Sequence, residues 1–186
     1  KPTVVNCRRF IETTTMPLTR RHLATAAALG AAGVAGWLAL GSGQGGQPAP
    51  QVVYTLLDGK QLDTAGLKGQ VVLVNFWATS CTTCVAEMPQ IAATFEKYRH
   101  RGYQTVAVAM SYDPPAYVAS FAESRKLPFG VAIDNTGAIA RGFGQVQLTP
   151  TTFLINKRGE IVKRYVGAPD FEALHTLVER LLAEQA

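Results

Sequence analysis

The passage from residue 71 to residue 84 constrains this chain more than any other. Val71-Val72-Leu73-Val74-Asn75-Phe76-Trp77 is apolar apart from one asparagine, and Cys81-Thr82-Thr83-Cys84 follows shortly after it. A short run without alternation marks a strand covered on both faces, as in a sheet sandwiched between helices. Beyond the cysteines, Cys84, Met88, Ile91, Phe95 and Tyr98 recur at helical spacing, the stripe of a helix with one buried face. Pro89 falls inside that helix and is expected to kink it. A buried strand therefore delivers two thiols to the first turn of a helix. Unsatisfied N–H groups at a helix start favour negative charge, so Cys81 is expected to ionise below the value of about 8.5 for free cysteine. Cys84, about one turn further on and nearly on the same face, is placed to close a disulfide with Cys81. Glu87 stands on the edge of the apolar stripe, where partial desolvation would raise its pKa.

The rest of the chain alternates strands with helices. Residues 52–57 read as a strand, Asp58-Gly59 as a hairpin turn, and residues 62–67 as a short helical turn. Residues 103–110 form a second buried strand. Asp113-Pro114-Pro115 has the form of a helix start, with Asp113 as cap and proline in the first turn. That helix would bury Val118, Phe121 and Ala122. A short strand at 131–133, a turn and a short helix at 138–143 follow. Residues 152–155 and 160–166 read as a hairpin, and Asp170 as the cap of a last helix with the stripe Phe171, Leu174, Val178 and Leu181. This order implies an α/β sandwich with some antiparallel strands.

The N-terminal part has a different character. Residues 23–40 contain Thr25 as their one polar member and follow Thr19-Arg20-Arg21-His22. As a helix this run would span about 27 Å, borderline for a bilayer. Two readings stay open: an uncleaved membrane anchor, or a cleavable export signal in which the arginine pair obeys a general basic bias or a twin-arginine pattern. Both place the rest of the chain outside the cytoplasm: on a bacterial inner membrane facing the periplasm, or free in the periplasm or another extracytoplasmic space if the signal is cleaved. Met16 is a candidate start, which would make residues 1–15, with Cys7, non-native. Residues 41–50 are read as a flexible tether and residues 51–186 as the redox domain. Most of the net charge of +5 lies in the N-terminal part; from residue 51 onward 13 basic residues meet 12 acidic ones. That balance leaves no basic face for nucleic acid.

The chain resembles the thioredoxin fold in its TlpA/ResA-like extracytoplasmic branch. The resemblance rests on Asn75-Phe76-Trp77-Ala78-Thr79-Ser80-Cys81-Thr82-Thr83-Cys84, on Glu87 and Pro89, and on Thr149-Pro150-Thr151-Thr152-Phe153. It implies a thioredoxin-like three-layer α/β sandwich: a mixed central sheet with helices on both faces, an N-terminal hairpin and a central insert at 111–147. It also implies a membrane-tethered protein-disulfide reductase with Cys81 as attacking thiol, Cys84 as resolving thiol and Glu87 as proton shuttle. Trp77, Thr149 and a cis-Pro150 would bind substrate, with Thr149 offering its backbone to an extended strand. No metal and no cofactor are expected. The implied partners are protein disulfides, such as the cysteine pairs of apocytochrome c or of copper-site proteins, and a membrane thiol-electron donor. Two departures stand out. Ser80 replaces a frequent aromatic residue, and Asn75 stands where thioredoxins proper carry a buried Asp.

Competing readings use the same residues. The cysteine pair could be a structural disulfide or half a zinc site, although zinc usually wants four ligands and His100 and His175 are the domain's only histidines. A copper-binding chaperone would use both thiolates as soft ligands. A peroxiredoxin-like peroxidase would share the fold, but Val74 and Ala78 occupy the places of its proline and threonine.

Overall fold

The computed structural model describes residues 46–185. Its elements run β1 (Gln47–Pro48), β2 (Val53–Thr55), β3 (Gln61–Asp63), β4 (Val71–Trp77), α1 (Thr82–Tyr98), β5 (Tyr103–Ala109), α2 (Pro115–Ser124), β6 (Gly130–Ile133), α3 (Ala138–Gly142), β7 (Thr151–Ile155), β8 (Glu160–Val166) and α4 (Phe171–Ala183). The readings of export signal, candidate start and Cys7 lie outside the described residues. Among the described residues, no helix is long and apolar enough to cross a membrane.

Six strands form one sheet in the order β1-β8-β7-β4-β5-β6. β4 lies inside it, parallel to β5 and antiparallel to β7, and every residue of β4 is buried. Its alternating side chains divide the core. Val71, Leu73 and Trp77 join Met88 and Ile91 of α1 and Leu174 and Val178 of α4. Val72, Val74 and Phe76 join Tyr54, Ile139 and Phe143. Both faces are therefore covered, giving the three layers expected of a fully apolar strand. Helix α1 continues through Pro89 and buries all five residues of the predicted stripe, together with Glu87 and Thr94.

The second core layer contains a cluster of three aromatic rings. Phe76 meets Phe143 at 5.3 Å and Phe153 at 5.9 Å between centroids, and Phe143 and Phe153 are 4.9 Å apart. Phe76→Ala is expected to cost about 3–5 kcal/mol of stability, read as a lower urea midpoint with an unchanged slope. A loss below about 1 kcal/mol would mean that the cavity collapses around the missing ring.

Two expectations need correction. The end of the predicted tether belongs to the fold: Gln47 and Pro48 pair with Ile161 and Glu160 of β8, Ala49 is buried, and its N–H donates to Gly159 O at 2.9 Å. Pairing with the open side of β8, unseen in a Gly/Pro-rich stretch, overrides local composition. The predicted helical turn at 62–67 is also shorter. Residues 61–63 form β3, paired with β2 across the Asp58-Gly59 turn, and only Ala65–Leu67 is helical. Gln61, Leu62 and Asp63 alternate exposed and half-buried, the period of a strand. This hairpin also shields the β6 edge, where Leu56 bridges Ala132 and Leu57 N–H donates to Val131 O at 2.9 Å. At the other end of the domain Asp170 caps α4, accepting from the N–H groups of Glu172 and Ala173.

Candidate active site

Strand register brings three loops together at one end of the sheet. Trp77 lies opposite Ala109 of β5, and Phe76 lies opposite Thr151 of β7. The segments that follow Trp77, follow Ala109 and precede Thr151 therefore meet beyond the strand ends. Met110 N–H donates to Trp77 O at 3.0 Å, and Cys81 N–H donates to Ala78 O at 3.1 Å, closing the turn into α1.

Cys81 occupies the N-cap of α1 in extended conformation, and its Sγ accepts from Cys84 N–H at 3.2 Å. Cys81 and Cys84 are joined as a disulfide, with their Cα atoms 5.2 Å apart. The two sulfurs sit in different surroundings. Cys81 is partly exposed, while Cys84 is 0% exposed inside the core. An incoming sulfur meets Cys81 first, and on reduction a Cys81 thiolate faces the N–H groups of the first helical turn.

Glu87 lies one turn beyond Cys84 and is 3% exposed, deeper than a position on the stripe's edge implies. Its Oε1 accepts from Asn75 Nδ2 at 2.9 Å, and the same amide donates to Thr152 Oγ1 at 2.9 Å. Burial pushes the Glu87 carboxyl up to about 7, with the Asn75 hydrogen bond pulling in the opposite direction. The result is a carboxyl that exchanges its proton near neutrality inside the core. Asn75 stands where a relay acid is missing, and in the fold it anchors the acid that is present.

The Thr149–Pro150 peptide bond is cis. Pro150 is buried and Thr149 partly exposed. Pro150 O accepts from Gly167 N–H at 2.8 Å, and Thr149 Oγ1 lies 3.4 Å from the Tyr112 hydroxyl. Trp77, expected to be both a core residue and a wall for substrate, is 0% exposed and packs on Phe121 at 5.1 Å between centroids. It is a core residue and presents no surface to a partner. Ser80, in the place of the frequent aromatic residue, is exposed.

Asp113 does something the sequence did not suggest. The N-cap of α2 is Pro114, without a side-chain hydrogen bond. The Asp113 carboxylate turns away from α2 and accepts from Thr79 N–H and Thr79 Oγ1–H, both at 2.6 Å. Asp-Pro-Pro is a good capping signal, and no sequence pattern marks a contact between residues 34 apart in the chain.

The Redoxin family matches residues 44–178. The chain belongs to the Redoxin family. Thiol-disulfide oxidoreductase ResA of Bacillus thuringiensis subsp. konkukian (strain 97-27) is 35% identical over 136 residues, 73% of this chain and 78% of that protein. ResA of Bacillus subtilis (strain 168) is 33% identical over 130 residues, 70% and 72% of the two chains. Among solved structures, a thiol:disulfide interchange protein of the thioredoxin family from Chlorobium tepidum TLS superposes with a TM-score of 0.68. It is 26% identical, and the match covers 74% of this chain and 97% of that one. This redoxin therefore has the thioredoxin-like fold and is a ResA-like protein-disulfide oxidoreductase acting through Cys81 and Cys84.

Proposed function

We propose that this redoxin reduces protein disulfides outside the cytoplasm, with Cys81 as attacking thiol, Cys84 as resolving thiol and Glu87 as the proton acceptor for Cys84. The observation that supports this most is the asymmetry of the pair: one sulfur partly exposed at a helix start, the other buried one turn from a carboxyl whose pKa is about 7.

The reaction runs in two exchanges. The Cys81 thiolate attacks one sulfur of the partner disulfide, forming a Cys81–partner disulfide and releasing the other partner sulfur as a thiolate that takes a proton from water. Cys84 then gives its proton to Glu87 and attacks Cys81 Sγ. The mixed disulfide breaks, the second partner sulfur leaves as a thiolate that takes up the proton Glu87 returns through water, and the Cys81–Cys84 disulfide of this structure forms. The partner gains two electrons and two protons. A membrane thiol donor would return the redoxin to the dithiol form.

Thr149 would dock the partner as a short extended strand, its backbone pairing beside Pro150. Residues 23–40, as an anchor or an export signal, would place the domain on the outer face of a membrane or in the periplasm. Oxidised cysteine pairs of apocytochrome c or of copper-site proteins are substrates of the right chemistry. The activity is tested by insulin reduction with the full chain and a dithiol reductant. Catalysed turnover is expected, and a rate equal to that of the reductant alone would contradict the proposal.

A further inference from the structure

We propose that Asp113 is a positioning residue for Cys81: by gripping Thr79 it fixes the turn that sets the attacking sulfur at the start of α1. Four bonds build the ring that joins this turn to the segment after β5, three of them running between the two. Met110 N–H donates to Trp77 O at 3.0 Å, and Asp113 N–H donates to Met110 O at 2.9 Å. The carboxylate of Asp113 then closes the ring with its two bonds from Thr79. Asp113 is 3% exposed. A buried carboxylate is costly unless its oxygens are hydrogen-bonded, and here each oxygen has a donor from Thr79. Pro114, at φ −60°, follows directly and stiffens the backbone that carries the carboxylate.

The position of Thr79 gives the grip its consequence. It stands two residues before Cys81, and the next bond in line is Cys81 N–H to Ala78 O. The stabilisation of a Cys81 thiolate depends on its sulfur lying against the first N–H groups of α1, as Cys84 N–H now does at 3.2 Å. A turn free to move would lose that alignment. Geometry and charge then have opposite signs. As a nearby negative charge, Asp113 disfavours the thiolate, so its removal alone would lower the Cys81 thiol pKa. As a positioning group it favours the thiolate, so its removal would raise that pKa.

The inference rests on Cys81 as the attacking thiol. Alkylation mapping on the reduced wild-type chain tests that reading first: preferential labelling of Cys84 would overturn it independently of Asp113. The Asp113 test then measures the Cys81 thiolate by ultraviolet absorbance against pH, and the rate of mixed-disulfide formation, in the full-length variants. Asp113→Ala is expected to raise the thiol midpoint and slow the exchange between about tenfold and a hundredfold. Asp113→Asn, which can still accept at its oxygen and pair with the Thr79 hydroxyl through its amide, restores most of the rate with a midpoint at or below that of the wild type. Thr79→Val, which keeps the backbone bond and loses the hydroxyl bond, gives a smaller shift in the direction of Asp113→Ala. This variant carries the test if Asp113→Ala does not fold. A melting temperature that drops while midpoint and rate stay at wild-type values, or a midpoint that falls in Asp113→Ala or Thr79→Val, would overturn the proposal.

Discussion

Cys81→Ser is expected to abolish insulin reduction by the full chain, leaving only the rate of the added dithiol. A serine hydroxyl stays protonated at any working pH and forms no disulfide, so the first exchange has no nucleophile. The loss should belong to chemistry and not to folding. Cys81 is a partly exposed N-cap residue, and serine is a preferred residue there. The Cys81–Cys84 bridge spans only three positions, so it restrains little of the unfolded chain. A circular dichroism spectrum and a urea midpoint close to those of the reduced wild type should accompany the lost activity. Activity retained in Cys81→Ser would remove the basis for assigning attack to this sulfur.

Glu87→Gln is expected to separate activity from stability. Burial raises the carboxyl from its ordinary value of 4.5 to about 7, so the folded chain holds this proton more tightly than the unfolded chain does. Below pH 4.5 both states are protonated and the group costs nothing. As pH rises toward 7 the folded state must accept a buried charge or keep its proton, and stability falls. Glutamine removes that cost, so the variant should gain up to about 3 kcal/mol over the wild type above neutrality, and little at acid pH. The gain is visible in urea midpoints measured across pH. Activity should move the other way. In the wild type the resolving step is expected to speed up as Glu87 ionises, with a midpoint near the carboxyl's raised pKa of about 7. With glutamine, Cys84 must lose its proton unaided from the core. The step should slow by one to two orders of magnitude at neutral pH, with its rise displaced to higher pH. Stopped-flow measurement of partner release reads this directly, and an unchanged pH profile would count against the proton role.

Much of the fold was legible because its strongest signals are local. β4 announces itself by being apolar on both faces, and α1 by a stripe that the structure buries in full. The cap of α4 by Asp170 is equally local. The misreadings share a different cause. β1 exists because β8 offers an edge, β3 because β2 pairs with it, and the Asp113–Thr79 contact because β5 ends beside β4. The first and the last of these are not written in the spacing of neighbouring residues, whereas β3 completes the hairpin that Asp58-Gly59 signals. Within the site, the cysteine spacing and the place of Glu87 on the helix could be read directly. The role of Asn75 as anchor depends on β4 lying beneath α1 and beside Thr152. Trp77 is buried in a core cluster drawn from several elements, with Phe121 of α2 packed on its ring, a tertiary arrangement that local spacing does not show.

The division of labour between the two sulfurs can be tested in one pair of variants. Reduced Cys84→Ser, mixed with a protein disulfide such as insulin, is expected to accumulate a covalent adduct that mass spectrometry maps to Cys81, while Cys81→Ser under the same conditions accumulates none through Cys84. An adduct through Cys84 in the Cys81→Ser chain, or no adduct through Cys81, would contradict the assignment of Cys81 as the attacking sulfur and Cys84 as its buried partner.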